Sequence, residues 1–222
     1  MPSDAKRGCS GVPYRIADQI RYDALPLGGC FCYQAVVYPS RKSQRGEVIF
    51  TFAILTISTR GFAGEREDKS GPLILSMIKG YGNVVELTVV PDDRQIIEDN
   101  LIRLADTKGV DAIFTTGGTG FAPSDITPEA TMAVVDRLAP GIPEAMRYQS
   151  MKHTDRAMLS RGLAGIRGQT LIVNLPGSPK AVAENLEVFL PVMEHGLFTL
   201  RGETVDCAVT NGAQKDNPHG NP

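Results

Sequence analysis

Residues 115–130 read TTGGTGFAPSDITPEA, and this stretch decides which class of fold we expect. It contains the end of an apolar run at residues 110–116, which predicts a buried strand, followed by a loop rich in glycine. Thr127-Pro128-Glu129 comes next, and a hydroxyl residue before proline is typical of the capped first turn of a helix. A strand that passes into a helix through a short loop is the repeating unit of an α/β fold.

The segments on either side repeat the alternation of strand and helix. Apolar runs predict three further strands, at residues 48–57, 83–90 and 171–175. Helices are predicted to begin at Ser70, with a cap and a proline in the first turn, at Asp93 as an N-cap, and at Pro179 for a long helix to residue 200. The Asp93 helix carries one apolar face, made of Ile96, Ile97, Leu101 and Leu104.

This alternation predicts a three-layer α/β/α fold. Strands separated by helices of about 10–15 residues imply right-handed crossovers and a mostly parallel sheet with helices on both faces. Ligands of such sheets bind beyond the carboxyl ends of the strands. We therefore expect a binding site among three loops, at residues 58–69, 91–93 and 117–127.

The ends of the chain lack this pattern. Residues 1–46 form a poorly patterned N-terminal extension that ends in a polar, solvated linker, and residues 203–222 form a tail that is expected to be disordered. The α/β domain is predicted to span residues 47–202. All four cysteines lie outside it: Cys9, Cys30, Cys32 and Cys207. A disulfide or a metal site is conceivable, but the spacing suits no zinc knuckle, so free thiols in a reducing cytoplasm are the favoured interpretation.

Composition and charge exclude several classes of protein. The chain has 222 residues, 42% of them hydrophobic and 22% charged, which is typical of a globular α/β protein. A net charge of -2 gives no general attraction to nucleic acid or to an anionic membrane. No apolar run reaches the roughly 18 residues that a membrane span requires, and the polar first ten residues do not resemble a secretory signal. A cytoplasmic protein with a local ligand site is expected.

The loop Gly117-Gly118-Thr119-Gly120 suits an anion. Glycine lets the backbone approach a ligand closely, and successive N–H groups can form a concave nest around a phosphate. Two well-known signatures are absent, because no Gly-Lys-Ser/Thr follows and Pro123 stands where a dinucleotide fingerprint has its third glycine. Taken alone, the loop is equally well explained as a tight turn.

Two carboxylates follow predicted strands. Asp125 lies just ahead of the helix at Thr127, where an anion is favoured and a metal ion could be held near bound phosphates. Asp92 precedes Asp93, and since one carboxylate is enough to cap the next helix, the other is left for a ligand. Simple capping remains the alternative for both sites.

Hydroxyl side chains and a second turn complete the set of candidates. Ser150 and Ser160 flank a polar segment and could hydrogen-bond a phosphate or the edge of a heterocycle, although surface serines need no function. Pro176-Gly177-Ser178 follows the strand at residues 171–175 and is either a strand-to-helix turn or a second ligand loop.

These segments resemble a known family when they are taken in order. The chain is similar to the molybdenum cofactor biosynthesis family, which includes bacterial Mog and MoaB, their plant counterparts and the G domain of gephyrin. The resemblance rests on residues 52–58, 68–72, 90–92, 115–130, 157–161, 165–168 and 174–179. They occur in order over residues 48–201, about two-thirds of the chain.

The resemblance implies a fold, an activity and an assembly. It implies the MoaB/Mog-like molybdopterin-binding fold, usually as a homotrimer. The implied reaction is molybdopterin adenylylation, in which AMP moves from Mg-ATP to the terminal phosphate of molybdopterin and pyrophosphate is released. A molybdate-insertion enzyme is an implied partner.

Site residues are carried over by motif position. Asp92 and Asp125 resemble the catalytic carboxylates that are linked to Mg²⁺. The implied nucleotide contacts are Gly117, Gly118, Thr119, Gly120, Pro176, Gly177 and Ser178. The implied pterin contacts are Ser150, Ser160 and Arg161.

Two residues depart from the family pattern inside these motifs. Thr59 stands where the family commonly has Asp, and Ser124 stands where it commonly has Arg. Because both losses weaken possible contacts to nucleotide, metal or pterin, a second interpretation is kept open. In it, the chain is a non-catalytic molybdopterin-binding or scaffold protein on the same fold.

Overall fold

Four parallel strands form the centre of the sheet in the computed structural model of the chain. The model describes the backbone of residues 20–27 and 30–37 and all atoms of residues 50–202. Its strands are β1 Ile20–Leu27, β2 Cys30–Val37, β3 Phe50–Ile57, β4 Gly82–Val90, β5 Ala112–Thr116, β6 Arg137–Leu138, β7 Ala164–Arg167 and β8 Thr170–Leu175. Its helices are α1 Thr59–Phe62, α2 Ser70–Ile78, α3 Arg94–Ile102, α4 Thr127–Val134, α5 Gly141–Ser150 and α6 Pro179–Leu200.

The strand order in the sheet is β1-β2-β4-β3-β5-β8-β7-β6. Strands β4, β3, β5 and β8 run parallel, whereas β7 and β6 are antiparallel additions at one edge and β1 and β2 at the other. The chain leaves β3 towards β4 on one side and returns to β5 on the other side. This reversal makes the carboxyl ends of β3 and β5 a topological switch point, where ligands of open α/β sheets bind.

Helices cover both faces of the sheet because side chains alternate along each strand. Phe52 and Ile54 of β3 pack with α2, α5 and α6 on one face, and Phe52 also meets Phe114 edge-on at a centroid distance of 5.9 Å. Ala53 and Leu55 pack with α3 and α4 on the other face. The prediction of a three-layer, mostly parallel α/β fold is confirmed.

The N-terminal extension contains a hairpin that the sequence pattern did not predict. Strands β1 and β2 pair antiparallel from Ile20↔Val37 to Leu27↔Cys30, and β2 also pairs antiparallel with β4 at the edge of the sheet. The signal that was overlooked is Gly28-Gly29 between two apolar runs, a spacing typical of a hairpin. The predicted linker, the whole tail, Cys9 and Cys207 lie outside the described residues, as do the side chains of Cys30 and Cys32.

Three local predictions about helices are wrong in detail. Helix α2 is capped by Asp68, whose Oδ1 accepts the N–H groups of Ser70 and Gly71 at 2.9 and 3.0 Å. Helix α4 begins at Thr127 without a side-chain cap, because the Thr127 hydroxyl donates to the Gly117 carbonyl instead. Ile96 is 39% exposed, since the apolar face of α3 that reaches the core comprises Ile97 and Leu101 and continues through a π turn.

Other boundaries agree closely with expectation. Asp93 caps α3 through its Oδ1, which accepts the N–H of Ile96 at 3.0 Å, and α6 spans residues 179–200 as predicted. Of the helices in the described part of the chain, none combines the length and apolarity that a membrane crossing needs.

Candidate functional site

A cavity of about 790 Å³ opens at the carboxyl ends of β3, β4 and β5. All three loops that the sequence singled out contribute to its lining, through residues 58–61 and 66–69, Asp92, and the residues after β5. The start of α6 adds Gly177 and Ser178. The cavity therefore lies at the switch point, among the loops where the sequence predicts a ligand site.

The glycine loop is pressed against the end of β3. Gly117 and Gly118 have φ angles of 98° and 62°, a left-handed conformation that side chains with a Cβ rarely adopt. A Cβ on Gly117 would lie 2.3 Å from the carbonyl oxygen of Ile57. Thr127 fixes the turn from behind, because its hydroxyl donates to the Gly117 carbonyl at 2.9 Å and its N–H donates to the Gly118 carbonyl at 3.1 Å.

The second loop, Pro176-Gly177-Ser178, is tied to neighbouring strands and helices. The Pro176 carbonyl accepts the hydroxyl of Thr116 at 2.7 Å, and the Gly177 carbonyl accepts the hydroxyl of Ser70 at 2.9 Å. Ser178 caps α6, and the N-terminus of a long helix favours an anion. Both loops therefore bring backbone N–H groups to one place without lining it with fixed positive charge.

Asp92 is held by Thr59. The Asp92 Oδ2 atom accepts the Thr59 N–H at 2.7 Å and the Thr59 hydroxyl at 2.8 Å, while the Asp92 N–H donates to the Thr59 hydroxyl oxygen at 3.0 Å. A carboxylate oxygen with two donors is well satisfied, which leaves Oδ1 as the atom available to a ligand. The departure at Thr59 therefore replaces a second acid with a neutral hydrogen-bonding partner for the first.

Asp125 sits at the boundary of two cavities. Its Oδ2 accepts the N–H of Ala122 at 3.0 Å, and its side chain lines both the cavity described above and a neighbouring one. Ser124, the other departure from the family pattern, lines the larger cavity only.

Arg161 holds the glycine loop from outside. Its Nε donates to the Gly120 carbonyl at 2.6 Å, and the guanidinium also bonds to the Asp125 carbonyl and to the carboxylate of Glu129. Arg161 does not line either cavity at the switch point. The contacts in the structure are those of a residue that positions the loop, which differs from the pterin contact implied by the resemblance.

The neighbouring, smaller cavity measures about 440 Å³. Ser150 and Ser160, the two serines that the resemblance implies as pterin contacts, both lie on its wall. Ser150 is 6% exposed, and its hydroxyl oxygen accepts the Nδ2–H of Asn185 at 3.2 Å. The two cavities share four residues: Gly118, Asp125, Gly177 and Ser178.

Several residues that line the cavities were missed as site residues. Arg60, Arg66 and Lys69 line the larger cavity, and Arg147, Arg156 and Glu184 line the smaller one. The basic residues at positions 60–69 could have been proposed because their loop follows β3. Residues on α5 and α6 could not, since it is the packing of those helices against each other that brings them to the site.

The arrangement suits the alignment of two anionic ligands. The four residues that line both cavities form a shared floor beside the N-terminus of α6. The larger cavity is also lined by the cationic residues Arg60, Arg66 and Lys69. Such preorganised donors stabilise developing negative charge without the cost of reorienting water.

Comparison with known proteins decides the family. Residues 53–195 match the family model described as "Probable molybdopterin binding domain". The chain belongs to this molybdopterin-binding family.

Within this family, the chain is similar to Mog and MoaB proteins. It is 43% identical over 152 residues to the molybdopterin adenylyltransferase of Helicobacter pylori J99, covering 67% of this chain and 86% of that protein. The crystal structure of the MoaB molybdopterin biosynthesis enzyme from Thermus thermophilus is 46% identical, with a TM-score of 0.65, and the match covers 69% of this chain and 98% of that one. These similarities place the chain in the Mog/MoaB group.

Larger relatives contain the same domain. The chain is 38% identical over 179 residues to the Drosophila melanogaster molybdenum cofactor synthesis protein cinnamon, covering 76% of this chain. The chain spans about 30% of the length of cinnamon.

Proposed function

We propose that this member of the Mog/MoaB family is a molybdopterin adenylyltransferase, which transfers AMP from Mg-ATP to the terminal phosphate of molybdopterin and releases pyrophosphate. The observation that carries the proposal is that two cavities meet at a common floor made of Gly118, Asp125, Gly177 and Ser178. Two substrates bound side by side would have their reacting phosphates at this floor. The proposal is also supported by bacterial relatives that are about 40% identical to this chain and are named molybdopterin adenylyltransferases.

ATP is assigned to the larger cavity. Arg60 and Lys69 line it, and their nearest acidic partners, Glu65 and Glu67, lie 3.9 Å away in exposed pairs. Because exposed pairs of this kind contribute little, their cations can turn towards a triphosphate. Molybdopterin is assigned to the smaller cavity, with Ser150 and Ser160 on its wall.

The reaction needs alignment more than proton transfer. An oxygen of the molybdopterin phosphate is anionic at neutral pH and forms the new bond to the α-phosphorus of ATP. The bond from that phosphorus to the oxygen bridging it to the β-phosphate breaks, and pyrophosphate leaves with the electron pair. The glycine loop and the N-terminus of α6 would hold both phosphates in line, so positioning and electrostatic stabilisation supply the catalysis.

Asp92 and Asp125 are the residues that would hold Mg²⁺. Within residues 50–202 there is no group of three or more acidic, histidine or cysteine side chains that could enclose a metal ion. Mg²⁺ usually takes one or two carboxylates together with substrate phosphates and water, so two carboxylates beside a phosphate site fit its chemistry. When bound, the ion neutralises phosphate charge. Asp92 would contribute Oδ1, since Thr59 already donates twice to Oδ2.

The assembly and the cellular setting are also proposals. We assign the chain a homotrimer, a cytoplasmic location and delivery of its product to a molybdate-insertion enzyme. These assignments rest on the family resemblance, and for the location also on the cysteines expected to be free thiols.

AMP transfer is the decisive measurement. Purified protein, molybdopterin and Mg-ATP are expected to yield pyrophosphate and adenylylated pterin, and Asp92→Ala is expected to reduce the rate by about 100-fold, the scale of one lost charge-stabilising group. Asp99→Asn, an exposed carboxylate on α3, is the matched control and should keep full activity. Tight molybdopterin binding without turnover in the unmodified protein would overturn the enzymatic proposal and leave a binding protein on this fold.

A further inference from the structure

Helix α6 presents a carboxylate to the smaller cavity. Ala181, Glu184 and Asn185 lie on one face of the helix at helical spacing and line the cavity wall. Glu184 is six residues beyond the cap Ser178, which corresponds to roughly 9 Å along the helix axis. The backbone of Glu184 therefore lies more than one helical turn beyond the shared residues Gly177 and Ser178.

This carboxylate is poorly paired. The Glu184 side chain is only 16% exposed, and its one ion-pair partner is Lys180, at 3.9 Å and 85% exposed. Within residues 50–202 it accepts no hydrogen bond. Glu86, whose side chain is 2% exposed, shows the contrast, since it receives two hydrogen bonds from Arg103 and one from Thr88. A shielded carboxylate without donors is costly, and a ligand that brings donors would remove that cost.

A hydroxyl donor lies on the same wall. Asn185 donates its Nδ2–H groups to the Ser150 hydroxyl oxygen at 3.2 Å and to the Ala181 carbonyl at 2.7 Å. The Ser150 hydroxyl hydrogen itself has no acceptor among the described residues and is free to point at a ligand. The wall thus combines a carboxylate that accepts with a hydroxyl that donates.

We propose that Glu184 recognises the 2-amino-4-oxopyrimidine edge of the pterin. That edge carries two adjacent N–H donors, from the 2-amino group and N3, beside the O4 acceptor. A carboxylate matches the two donors in a bidentate manner, and Ser150 is placed to donate to the acceptor. The inference rests on the proposed function, which puts the ligand phosphate at the shared floor and so directs the heterocycle along α6 to Glu184.

The competing interpretation is a surface ion pair. Lys180 and Glu184 are four residues apart on a helix, and such pairs are common and weak. In that case Glu184 would make no difference to the binding of a pterin.

Glu184→Gln tests the inference, with Glu187→Gln, an exposed residue on the same helix, as the matched control. Calorimetric titration of the full chain with molybdopterin is expected to give a Kd about tenfold or more higher for Glu184→Gln, and an unchanged Kd for the control. Mg-ATP binding, measured on the same samples, should be unchanged in both variants, which verifies that the neighbouring cavity is folded.

A pair of competitors tests the chemistry of recognition. The probes are 6-hydroxymethylpterin and 6-hydroxymethyllumazine, which carry an amino group and an oxygen respectively at position 2. Each is used to displace molybdopterin. The unmodified protein should favour the pterin about tenfold, and Glu184→Gln should largely lose this preference.

Two outcomes overturn the inference, and they are distinguishable. If the unmodified protein binds molybdopterin and Glu184→Gln binds it equally well, Glu184 does not recognise the pterin, and the proposed function is unaffected. If the unmodified protein binds no molybdopterin, the proposed function is wrong, and the inference that rests on it is wrong as well.

Discussion

At the pair Thr59–Asp92, a residue that departs from the family pattern still fixes the position of a candidate site carboxylate. The motif resemblance identified Thr59 as the loss of an acid, and only the structure shows that its N–H and hydroxyl both donate to Asp92. The position of Asp92 after a strand was predictable from sequence, because a β-branched run ends just before it. Its partner was not predictable, since residues 59 and 92 come together only when β3 and β4 pair.

Removal of the Thr59 hydroxyl is expected to slow AMP transfer. Thr59→Val loses the hydroxyl's bond to the Asp92 carboxylate and the bond that the hydroxyl oxygen accepts from the Asp92 N–H, and it retains the bond from the Thr59 N–H. The bond to the charged carboxylate alone is worth about 1.5–3 kcal/mol. We expect the single-turnover rate of AMP transfer to fall about tenfold with molybdopterin affinity unchanged, and Thr59→Ser to retain most of that rate. Single-turnover kinetics on the three proteins measures this, and a Thr59→Val enzyme with the original rate would remove the role.

At the scale of elements, the site is a set of strand ends held together by side chains of neighbouring loops. Sequence alone predicted which loops take part, because the apolar strands and the glycine-rich turns are local patterns. It did not predict that Arg161 holds the loop after β5, or that Glu184 of α6 and Ser150 of α5 share a wall. Those contacts depend on how the helices pack against each other, and the spacing of residues within a single segment does not predict that packing.

The turn at Gly117 is expected to tolerate no side chain. In Gly117→Ala the Cβ would meet the Ile57 carbonyl at 2.3 Å in a left-handed conformation, so we expect a loss of about 3 kcal/mol in the free energy of unfolding. AMP transfer should fall with it. Gly141→Ala is the control, because nothing lies within 4 Å of its added Cβ. Denaturant unfolding measures both, and equal stabilities would contradict the account.

For the whole molecule, the two ends of the parallel sheet have different tasks. The carboxyl ends line the candidate site, and the opposite end carries an ion pair between Asp111, before β5, and Arg201, after α6. Arg201 donates to the two carboxylate oxygens at 2.7 and 2.8 Å, and Thr51 adds two further bonds. Burial would raise the pKa of Asp111, but the bonds from Arg201 and Thr51 hold that pKa below its ordinary value.

The Asp111 pair is expected to make stability depend on pH. A carboxyl group whose pKa is lowered by folding stabilises the folded state above its unfolded pKa of about 4, and this contribution is lost as the pH falls further. Asp111→Asn should therefore be less stable than the unmodified protein at pH 7, by about 2 kcal/mol, with the difference shrinking below pH 4. Asp106→Asn, in a more exposed pair with Arg167, should show a much smaller effect. Thermal unfolding at pH 3 to 7 measures this, and a difference independent of pH would contradict it.

The assembly is the remaining expectation at this scale. Sedimentation equilibrium is expected to give about three times the chain mass of 23.9 kDa, as the homotrimer proposed from the family resemblance requires. A mass equal to that of one chain would refute the trimer.

The floor shared by the two cavities has a consequence for what happens after the bond has formed. The adenylylated product would occupy both cavities at once, and it would compete with each of the two substrates for binding. Such a molecule dissociates slowly, because it lets go only when both halves detach together. Such an enzyme would be inhibited by its own product until another molecule removed that product. The rate of turnover would therefore depend on the arrival of a recipient.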